Sequence, residues 1–430
     1  MSLALPASPK AAAAALDNYG ATAFANAWRS PFVRRKLEEA GLSPGQVPSL
    51  EELRRIRPTT KDELREMSNE QFYEDVVISA PAEVATVWRS GGVTGRPLFY
   101  PRAKADYGPL LESFKRTLDM AGVGPGDLLH NSFPLGAHPL GHMFCYASLA
   151  LGAGCLPAGS GHNTPTETQI QLLFDLKPTV WAGLASYLVH MGHVAESMGR
   201  DPRSAGLRLI VNSGEALTPA KRERIEATWG ARLVSQYGMS ECSMMGGECE
   251  AADGFHVWTD MFVLEILDPA TWDPVPPGEV GMVVVTPIHN SHSTPFLRWA
   301  SGDMASLHED CSCRGPYSVF PRLRLAGRTA GFIKVKGVNI NDQELEDVLL
   351  RVGGLADFMA WVETMEGSDR LRVEIETAEG LEPAAGRAQV AQRIAAIFEV
   401  RPVVESLPRG TIAKRLEADV KQVRVRDVRG

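Results

Sequence analysis

The stretch that decides the fold is Ser90-Gly91-Gly92-Val93-Thr94-Gly95-Arg96-Pro97, which follows the β-rich run Val84-Ala85-Thr86-Val87-Trp88. Its three glycines allow a tight turn and a close approach of the backbone to a ligand, because they carry no Cβ. Backbone N–H groups and the side chains of Ser90, Thr94 and Arg96 would supply donors and positive charge to phosphate oxygens. The stretch is not a Walker A loop, because it ends in Arg-Pro and the strand-like Leu98-Phe99-Tyr100 follows where a P-loop opens a helix. Taken alone, such a loop is also typical of a plain turn.

Four further blocks give the loop a context. They are Tyr237-Gly238-Met239-Ser240-Glu241, then Arg298-Trp299-Ala300-Ser301-Gly302-Asp303, then Gly327-Arg328 leading to Ile333-Lys334-Val335-Lys336-Gly337-Val338-Asn339-Ile340, and finally a lysine-bearing tail. In this order the five blocks resemble the acyl-adenylate-forming enzymes, the acyl-CoA synthetase and luciferase superfamily. The branch that the chain resembles most is phenylacetate–CoA ligase. The resemblance covers nearly the whole chain.

Length and composition bound the class of protein. A chain of 430 residues suits one large and one small domain. The net charge of −8 is spread along the chain, which argues against nucleic acid or an anionic membrane as the main partner. There is no apolar run of about 18 residues and no signal-peptide pattern, so neither a membrane span nor secretion is expected. Six cysteines in so long a chain do not form a disulfide framework, and the cytoplasm is the expected compartment.

Hydrophobic patterns predict an α/β protein in two domains. Residues 17–66 read as helices, with Thr60 and Glu63 forming a capping box before Leu64. From 84 to about 290, strands alternate with helical stretches such as Tyr107–Met120 and Thr166–Leu176, which predicts a mostly parallel, helix-covered sheet with motifs just after its strands. Residues 256–325 read as a β-rich insert. We therefore expect a large N-terminal α/β domain over 1–327, which binds ATP and acid, and a small mobile α+β lid domain over 328–430.

The resemblance assigns the nucleotide site residue by residue. Glu241 matches the glutamate that holds Mg²⁺, and a cation bridging phosphates suits one carboxylate plus waters. Ser240 stands at the usual threonine position and would bond the α-phosphate. Asp303 resembles the aspartate that accepts both ribose hydroxyls, with Arg328 as its companion. The expected ATP-binding residues are Ser90, Gly91, Gly92, Thr94, Gly95, Arg96, Ser213, Gly214, Glu215, Ala216, Tyr237, Gly238, Met239, Asp303, Arg328 and Lys334.

Two lysines fit the family's catalytic lysine, which neutralises the carboxylate and the α-phosphate so that they can approach. Lys421, in Lys-Gln-Val-Arg-Val-Arg-Asp, matches the phenylacetate ligase ending, and Lys414 matches the spacing of the wider superfamily. In the family a glycine precedes the catalytic lysine. Here Val420 precedes Lys421 and Ala413 precedes Lys414, so neither lysine follows a glycine. The hinge departs too, because Thr329-Ala330-Gly331 stands where the family has x-Asp-Asp.

Cys249, His256, Cys311 and Cys313 form a second constellation. Thiolates with an imidazole suit a closed tetrahedral zinc, although Cys-x-Cys is tighter than the usual spacing and unrelated free cysteines would also fit. Some phenylacetate-ligase-like proteins carry Cys/His ligands at similar places, so the resemblance implies a structural Zn²⁺ that takes no part in the chemistry. Cys145, Cys155 and Cys242 are expected in the core.

The resemblance also implies where the acid binds. The matching apolar and glycine-rich stretches suit a flat aryl acid and contribute Phe133, Leu135, Gly136, His138, Ala182, Gly183 and Tyr187. His142 is a further candidate, although a lone histidine is more often structural. Nothing in the sequence names the acid.

The expected function is an ATP-dependent acid–thiol ligase, which forms an acyl-adenylate with release of pyrophosphate and transfers the acyl group to CoA. One alternative loads a carrier-protein thiol or stops at the adenylate. Another is a non-catalytic protein that binds an aryl acid or a nucleotide. The oligomeric state is open, with a homodimer as one expectation because it is the commonest soluble assembly.

Overall fold

The structure, a computed structural model, describes residues 3–90, 97–328, 332–335, 338–365, 368–416 and 423–429. Its α-helices, in chain order, are α1 Pro9–Ala13, α2 Ala15–Arg29, α3 Pro31–Glu39, α4 Leu50–Leu53, α5 Lys61–Arg65, α6 Asn69–Asp75, α7 Tyr107–Met120, α8 Pro139–Ala150, α9 Thr166–Leu176, α10 Ala185–Ser197, α11 Pro219–Trp229, α12 Asp342–Leu350, α13 Pro383–Phe398 and α14 Thr411–Leu416. Over these residues, no helix combines the length and the apolar character that crossing a membrane requires.

The strands, also in chain order, are β1 Val84–Arg89, β2 Phe99–Ala103, β3 Leu128–Asn131, β4 Gly154–Leu156, β5 Val180–Gly183, β6 Leu209–Ser213, β7 Arg232–Met239, β8 Ser243–Glu248, β9 Phe255–Val257, β10 Phe262–Leu267, β11 Gly281–Pro287, β12 Trp299–His308, β13 Arg322–Arg328, β14 Phe332–Val335, β15 Val338–Asn341, β16 Leu355–Met365, β17 Ser368–Thr377, β18 Val403–Ser406 and β19 Val425–Asp427. The predicted mixed α/β class with a large sheet is confirmed.

The chain divides into two compact units. The first unit contains Met1–Leu129, Leu135–Leu156 and Val234–Gly327, and the second contains His130–Pro134, Pro157–Leu233 and Arg328–Gly430. In the first unit, strands run in the order β10-β11-β12-β13-β9-β8-β7. The N-terminal helices pack on these strands in one hydrophobic core, which contains Phe24, Trp258 and Trp299.

The second unit combines a parallel strand pair with a small α+β assembly. β5 and β6 pair in parallel, with Ala182 opposite Val211. Towards the C-terminus, four strands run in the order β18-β17-β16-β19, and α12 and α13 pack on them through residues such as Leu345 and Ile394. The hairpin of β14 and β15 precedes this sheet.

Local patterns in the sequence explain several helices. The bounds of α7 and α9 are those that the sequence predicts. In α7 the buried residues Leu110, Phe114 and Leu118 recur every four positions, which is the spacing of one helix face. The predicted capping box before α5 is also confirmed, because Thr60 N donates to Glu63 Oε2 at 2.9 Å and Glu63 N donates to Thr60 Oγ1 at 3.3 Å.

The prediction of a mostly parallel sheet is wrong for β7 to β9, and the strands of the predicted β-rich insert are antiparallel as well. β7–β8, β8–β9, β10–β11 and β11–β12 all pair antiparallel. The connections between these strands are too short for the helical crossover that a parallel pair needs. Two motifs also lie within strands rather than after them, because β6 extends to Ser213 and β7 extends to Met239.

Candidate active site

Asp303, the predicted ribose ligand, is held by a tyrosine of the first unit. Tyr237 lies in β7 and its hydroxyl donates to Asp303 Oδ2 at 2.9 Å. The turn before the aspartate is also fixed, because Asp303 N donates to Ser301 Oγ and Ser301 Oγ donates to the Val283 carbonyl. Burial, reinforced by the Asp303 carboxylate, raises the pKa of Tyr237 well above its usual value. Tyr237 therefore stays a neutral donor that orients the carboxylate.

Glu241, the predicted magnesium ligand, is buried beside the end of β7. Its Oε1 accepts a hydrogen bond of 2.9 Å from the Tyr100 hydroxyl and lies 3.3 Å from Lys61 Nζ. Within the described residues, Oε2 accepts no hydrogen bond, which leaves this oxygen for a cation. Burial raises the pKa of Tyr100, and the neighbouring carboxylate adds to the effect.

Arg102 fixes the backbone of the same turn. Its fully buried guanidinium donates to the carbonyls of Ser240 and Glu241, and it also donates to Thr294 Oγ1 at 3.2 Å. The guanidinium lies 4.9 Å from the centroid of the Trp88 ring, at the end of β1. Strand β2 thus supplies two residues to this site. Tyr100 contacts the Glu241 side chain, and Arg102 fixes the Glu241 backbone.

Lys61 reaches Glu241 through an N-terminal segment that is fastened to β12. Thr59 N donates to the Arg298 carbonyl and Ala300 N donates to the Thr59 carbonyl, both at 2.8 Å. Arg298 is 1% exposed, bonds Glu265 through Nε at 2.9 Å and donates through Nη1 to the Arg54 and Ile56 carbonyls. These bonds tie the start of α5 to the strand that carries Asp303.

Lys61, Tyr100 and Arg102 were not among the residues predicted to bind ATP or the acid, or to take part in catalysis. The available signals were a Pro-x-Thr-Lys phrase at Pro58–Lys61 and the strand-like piece that follows the glycine-rich stretch. Neither signal indicates a contact with Glu241, because 180 and 141 residues separate Lys61 and Tyr100 from it in the chain.

The base of the glycine-rich stretch is closed by Ser90. Its N donates to the Leu98 carbonyl at 2.8 Å, and its Oγ accepts from Leu98 N at 3.1 Å. Arg89 N donates to the Ala137 carbonyl, which joins β1 to the stretch predicted to contact the acid. Outside the described residues lie the other predicted phosphate-binding residues, namely Gly91, Gly92, Thr94, Gly95 and Arg96.

The predicted adenine-side turn lies in the second unit, at the end of β6. Ser213 is buried, and Gly214 has a φ of 81°, a conformation that favours glycine. Glu215 Oε1 accepts from Ser186 N at 2.6 Å and therefore caps the N-terminus of α10. Ala216 follows in the same turn, half-buried.

The residues predicted to contact the acid lie in both units. In the second unit, Ser132 N donates to the Ala182 carbonyl at 2.7 Å. Buried Phe133 is the next residue in the chain, so it lies beside the strand that carries Ala182 and Gly183. A Cβ on Gly183 would lie 2.4 Å from the Trp181 ring, so a side chain does not fit there. Tyr187 is buried in α10, and its hydroxyl is 3.1 Å from Thr166 Oγ1.

Leu135, Gly136 and His138 belong to the first unit. His138 is the residue before α8, and His142 Nε2 lies 2.9 Å from the Gly136 carbonyl. This bond holds the stretch before α8 against the first turn of that helix.

Of the two candidate lysines, the structure describes Lys414. It lies exposed in α14, whose N-terminus is held by Glu376 through bonds from Gly410 N at 2.8 Å and Ile412 N at 2.6 Å. Lys421 and the hinge residues Thr329–Gly331 lie outside the described residues. Arg328 is the last residue of β13, and Lys334 is exposed in β14.

The four Cys and His residues meet in the first unit. The ligand atoms of Cys249, His256, Cys311 and Cys313 all lie within 4.8 Å of one another. Cys249 Sγ is 3.8 Å from Cys311 Sγ, and Cys313 Sγ is 3.3 Å from His256 Nε2. His256 Nδ1 lies 2.9 Å from the Phe320 carbonyl, which leaves Nε2 facing the thiols, and burial lowers the pKa of this histidine. A neutral imidazole oriented in this way has the form in which histidine binds metals.

Comparison with known proteins assigns the family. Residues 9–290 match the AMP-binding enzyme family, and residues 337–429 match the AMP-binding enzyme C-terminal domain. The phenylacetate-coenzyme A ligase of Thermus thermophilus is 33% identical over 82% of this chain and 78% of its own length. The phenylacetate-coenzyme A ligase of Escherichia coli is 29% identical over 81% of this chain and 78% of its own.

A solved structure agrees with the sequence relatives. 2-Hydroxyisobutyryl-CoA ligase, in the postadenylation state in complex with 2-HIB-AMP, has a TM-score of 0.85 and 28% identity, and the match covers 97% of this chain and 89% of that one. The chain therefore belongs to the AMP-binding enzyme family, in its phenylacetate–CoA ligase-like branch.

Proposed function

We propose that this chain is an AMP-forming ligase that activates an aryl carboxylic acid and transfers the acyl group to CoA. The observation that carries the proposal is the pair of carboxylates Asp303 and Glu241, each held by a tyrosine hydroxyl in the unit that contains the base of the glycine-rich stretch. Activation of a nucleotide needs oriented carboxylates for the ribose and for Mg²⁺, which is the role that we assign to this pair.

The reaction has two steps. The acid's carboxylate oxygen attacks the α-phosphorus of ATP, and pyrophosphate leaves to give an acyl-adenylate. The CoA thiol then attacks the acyl carbon, and AMP leaves to give a thioester. Charge builds on the phosphates in the first step, so the site needs fixed positive charge and oriented donors there.

Individual residues supply these needs. We assign Asp303 to the ribose hydroxyls, because a carboxylate accepts two donors without donating. Glu241 Oε2 would hold Mg²⁺, and a hard cation there neutralises the phosphates. Lys61, which contacts the same carboxylate, would add positive charge on the phosphate side. Ser240 would donate its hydroxyl to the α-phosphate.

The aryl class is supported by the lining residues and by the relatives. The residues predicted to contact the acid include the buried aromatic side chains of Phe133 and Tyr187, which suit a flat apolar group. The sequence relatives are named for phenylacetate, whereas the structural relative is named for a short branched hydroxy acid. A short hydroxy acid is therefore the second candidate.

The test is acid-dependent exchange between ATP and labelled pyrophosphate. A panel of phenylacetate, benzoate, 2-hydroxyisobutyrate and acetate separates the two candidate classes, and Glu241→Gln is the control for catalysis. We expect the highest kcat/KM with an aryl acid. The highest kcat/KM with 2-hydroxyisobutyrate would overturn the aryl class. No exchange with any acid would favour the binding-protein alternative.

We also propose that Cys249, His256, Cys311 and Cys313 hold a structural zinc ion. In a tetrahedral site with Zn–S bonds of about 2.3 Å, two sulfurs lie roughly 3.8 Å apart, and Cys249 and Cys311 have a sulfur separation of 3.8 Å. The ion would tie the β8–β9 turn to the segment after β12. Because all four ligands are protein groups, it would have no open position for catalysis.

For the mobile parts, we propose a lid domain that begins at Arg328. The supporting observation is the separate C-terminal family match over residues 337–429. Lys421 remains our first choice for the catalytic lysine, with Lys414 as the alternative. The comparison of Lys421→Ala with Lys414→Ala in the adenylation step separates them. A carrier protein as the acyl acceptor, a homodimer and a cytoplasmic location stay predictions.

A further inference from the structure

Two cysteines outside the proposed site face each other. Cys145 lies in α8 and Cys155 lies in β4, and both are half-buried. Their sulfur atoms are 3.1 Å apart, and neither is in a disulfide. A disulfide bond is about 2.05 Å long, so the two sulfurs need to approach by roughly 1 Å to form one. Cys145 and Cys155 were expected in the core but are only half-buried, whereas Cys242 is buried as expected.

The backbone around the pair is held by hydrogen bonds. Ala153 N donates to the Ser148 carbonyl at 3.1 Å, and Ser148 Oγ donates to the Gly154 carbonyl at 3.0 Å. Gly154 N donates in turn to the Asp127 carbonyl at 2.8 Å. These bonds fix the end of α8 against the start of β4.

We propose that Cys145 and Cys155 form a reversible disulfide when the enzyme meets a hydroperoxide. In the first step the Cys145 sulfur attacks the peroxide O–O bond, which gives a Cys145 sulfenic acid and releases water or an alcohol. In the second step the Cys155 sulfur attacks Cys145 and displaces water. Two thiols are oxidised by two electrons and one peroxide is reduced, and a cellular dithiol reductant reverses the reaction.

The contact between the sulfurs and the burial of Cys155 suggest an order for the two thiols. The Cys155 S–H donates to Cys145 Sγ, and this bond, with burial, raises the pKa of Cys155. A raised pKa disfavours the thiolate of Cys155, and the thiolate is the nucleophile, so we assign the first attack to Cys145. Cys155 is then the resolving cysteine.

The pair is linked to the stretch proposed to contact the acid. Cys145 lies three residues after His142, whose Nε2 bonds the Gly136 carbonyl. A covalent bond to β4 would restrain α8 near that contact. This expectation rests on the proposed function. The Cys145–Cys155 disulfide should change KM for the acid at least threefold and should leave KM for ATP within a factor of two.

The experiment treats the reduced full-length enzyme with a small excess of hydrogen peroxide and maps the thiols by mass spectrometry. We expect a peptide linked through Cys145 and Cys155 with a loss of 2 Da, which dithiothreitol reverses. In Cys155→Ser, dimedone should label Cys145, whereas in Cys145→Ser it should not label Cys155. Thermal melts confirm that both variants fold, and Cys155→Ala provides a second test.

Two results would overturn the proposal. One is that both cysteines remain alkylatable after peroxide treatment while the wild-type protein stays folded. The other is that the linked peptide forms but KM for the acid is unchanged. Because the linkage is measured by mass, an enzyme that activates none of the tested acids would still report on the disulfide.

Discussion

Replacement of Lys61 by methionine tests the proposed phosphate-side charge. Lys61 Nζ lies 3.3 Å from Glu241 Oε1, and the lysine is 29% exposed while the glutamate is 5% exposed. A hydrogen bond to a charged group contributes about 1.5–3 kcal/mol. Because solvent partly screens Lys61, we take the lower part of this range, about 1.5–2 kcal/mol. This corresponds to a roughly 10- to 30-fold loss of kcat/KM for ATP.

The assay is acid-dependent ATP–pyrophosphate exchange at several Mg²⁺ concentrations. Lys115→Met is a matched control. Lys115 is 26% exposed, and its Nζ lies 2.8 Å from Glu112 Oε2, which is not one of the proposed site residues. We expect the control to stay within twofold of the wild type and Lys61→Arg to recover part of the loss. A Lys61→Met enzyme that folds normally and retains its full kcat/KM would refute the reasoning. A variant that is faster than the wild type would also refute it.

Three further predictions concern the ribose contact, the zinc site and acid stability. Tyr237→Phe should raise KM for ATP about fivefold, because the loss of the bond to Asp303 costs about 1 kcal/mol; steady-state kinetics measures this. Cys249→Ser should reduce bound zinc from one ion per chain to almost none and lower the melting temperature; elemental analysis and calorimetry measure these. Burial lowers the pKa of His130 and of His190 to about 4, from 6.5. Between pH 4 and pH 6.5 the unfolded chain therefore binds more protons than the folded chain. The free energy of unfolding should reach its highest value above about pH 6.5 and should fall by up to roughly 3 kcal/mol per histidine towards pH 4. Urea titrations at pH 7.5 and 4.5 measure this difference.

Each of these predictions has a contradicting outcome. An unchanged KM for ATP in Tyr237→Phe would mean that Asp303 does not need this donor. Full zinc content in Cys249→Ser, or none in the wild type, would remove the proposed ion. Equal stability at both pH values would contradict the buried neutral histidines. One group acts in the opposite direction, because the bond to Asp106 raises the pKa of His292, so its contribution is present at low pH and is lost as pH rises.

Local patterns in the sequence predict much of the fold. The helices Tyr107–Met120 and Thr166–Leu176 have the predicted bounds, because residue spacing within one segment determines them. The sequence predicts the direction of strand pairing less well, because this direction depends on which strands become neighbours in the folded sheet. β7 pairs antiparallel with β8, and β8 pairs antiparallel with β9, although the alternating pattern favoured a parallel sheet there.

Motifs predict which residue types the site contains but not which residues support them. Asp303 and Glu241 stand out because they lie in recognisable blocks. The tyrosine that holds Glu241 and the lysine beside it come from β2 and from the start of α5, far away in the chain. The sulfur pair escaped prediction for a similar reason, because Cys145 and Cys155 meet only when the end of α8 turns back to β4.

The most direct test of the central claim is the stoichiometry of the complete reaction. The enzyme is incubated with ATP, Mg²⁺, CoA and the best aryl acid from the panel, and the products are quantified by chromatography and mass spectrometry. We predict AMP, pyrophosphate and the aryl-CoA thioester in a ratio of 1:1:1, with none formed when the acid is omitted. Formation of ADP and phosphate, or of the adenylate without any thioester, would contradict the account.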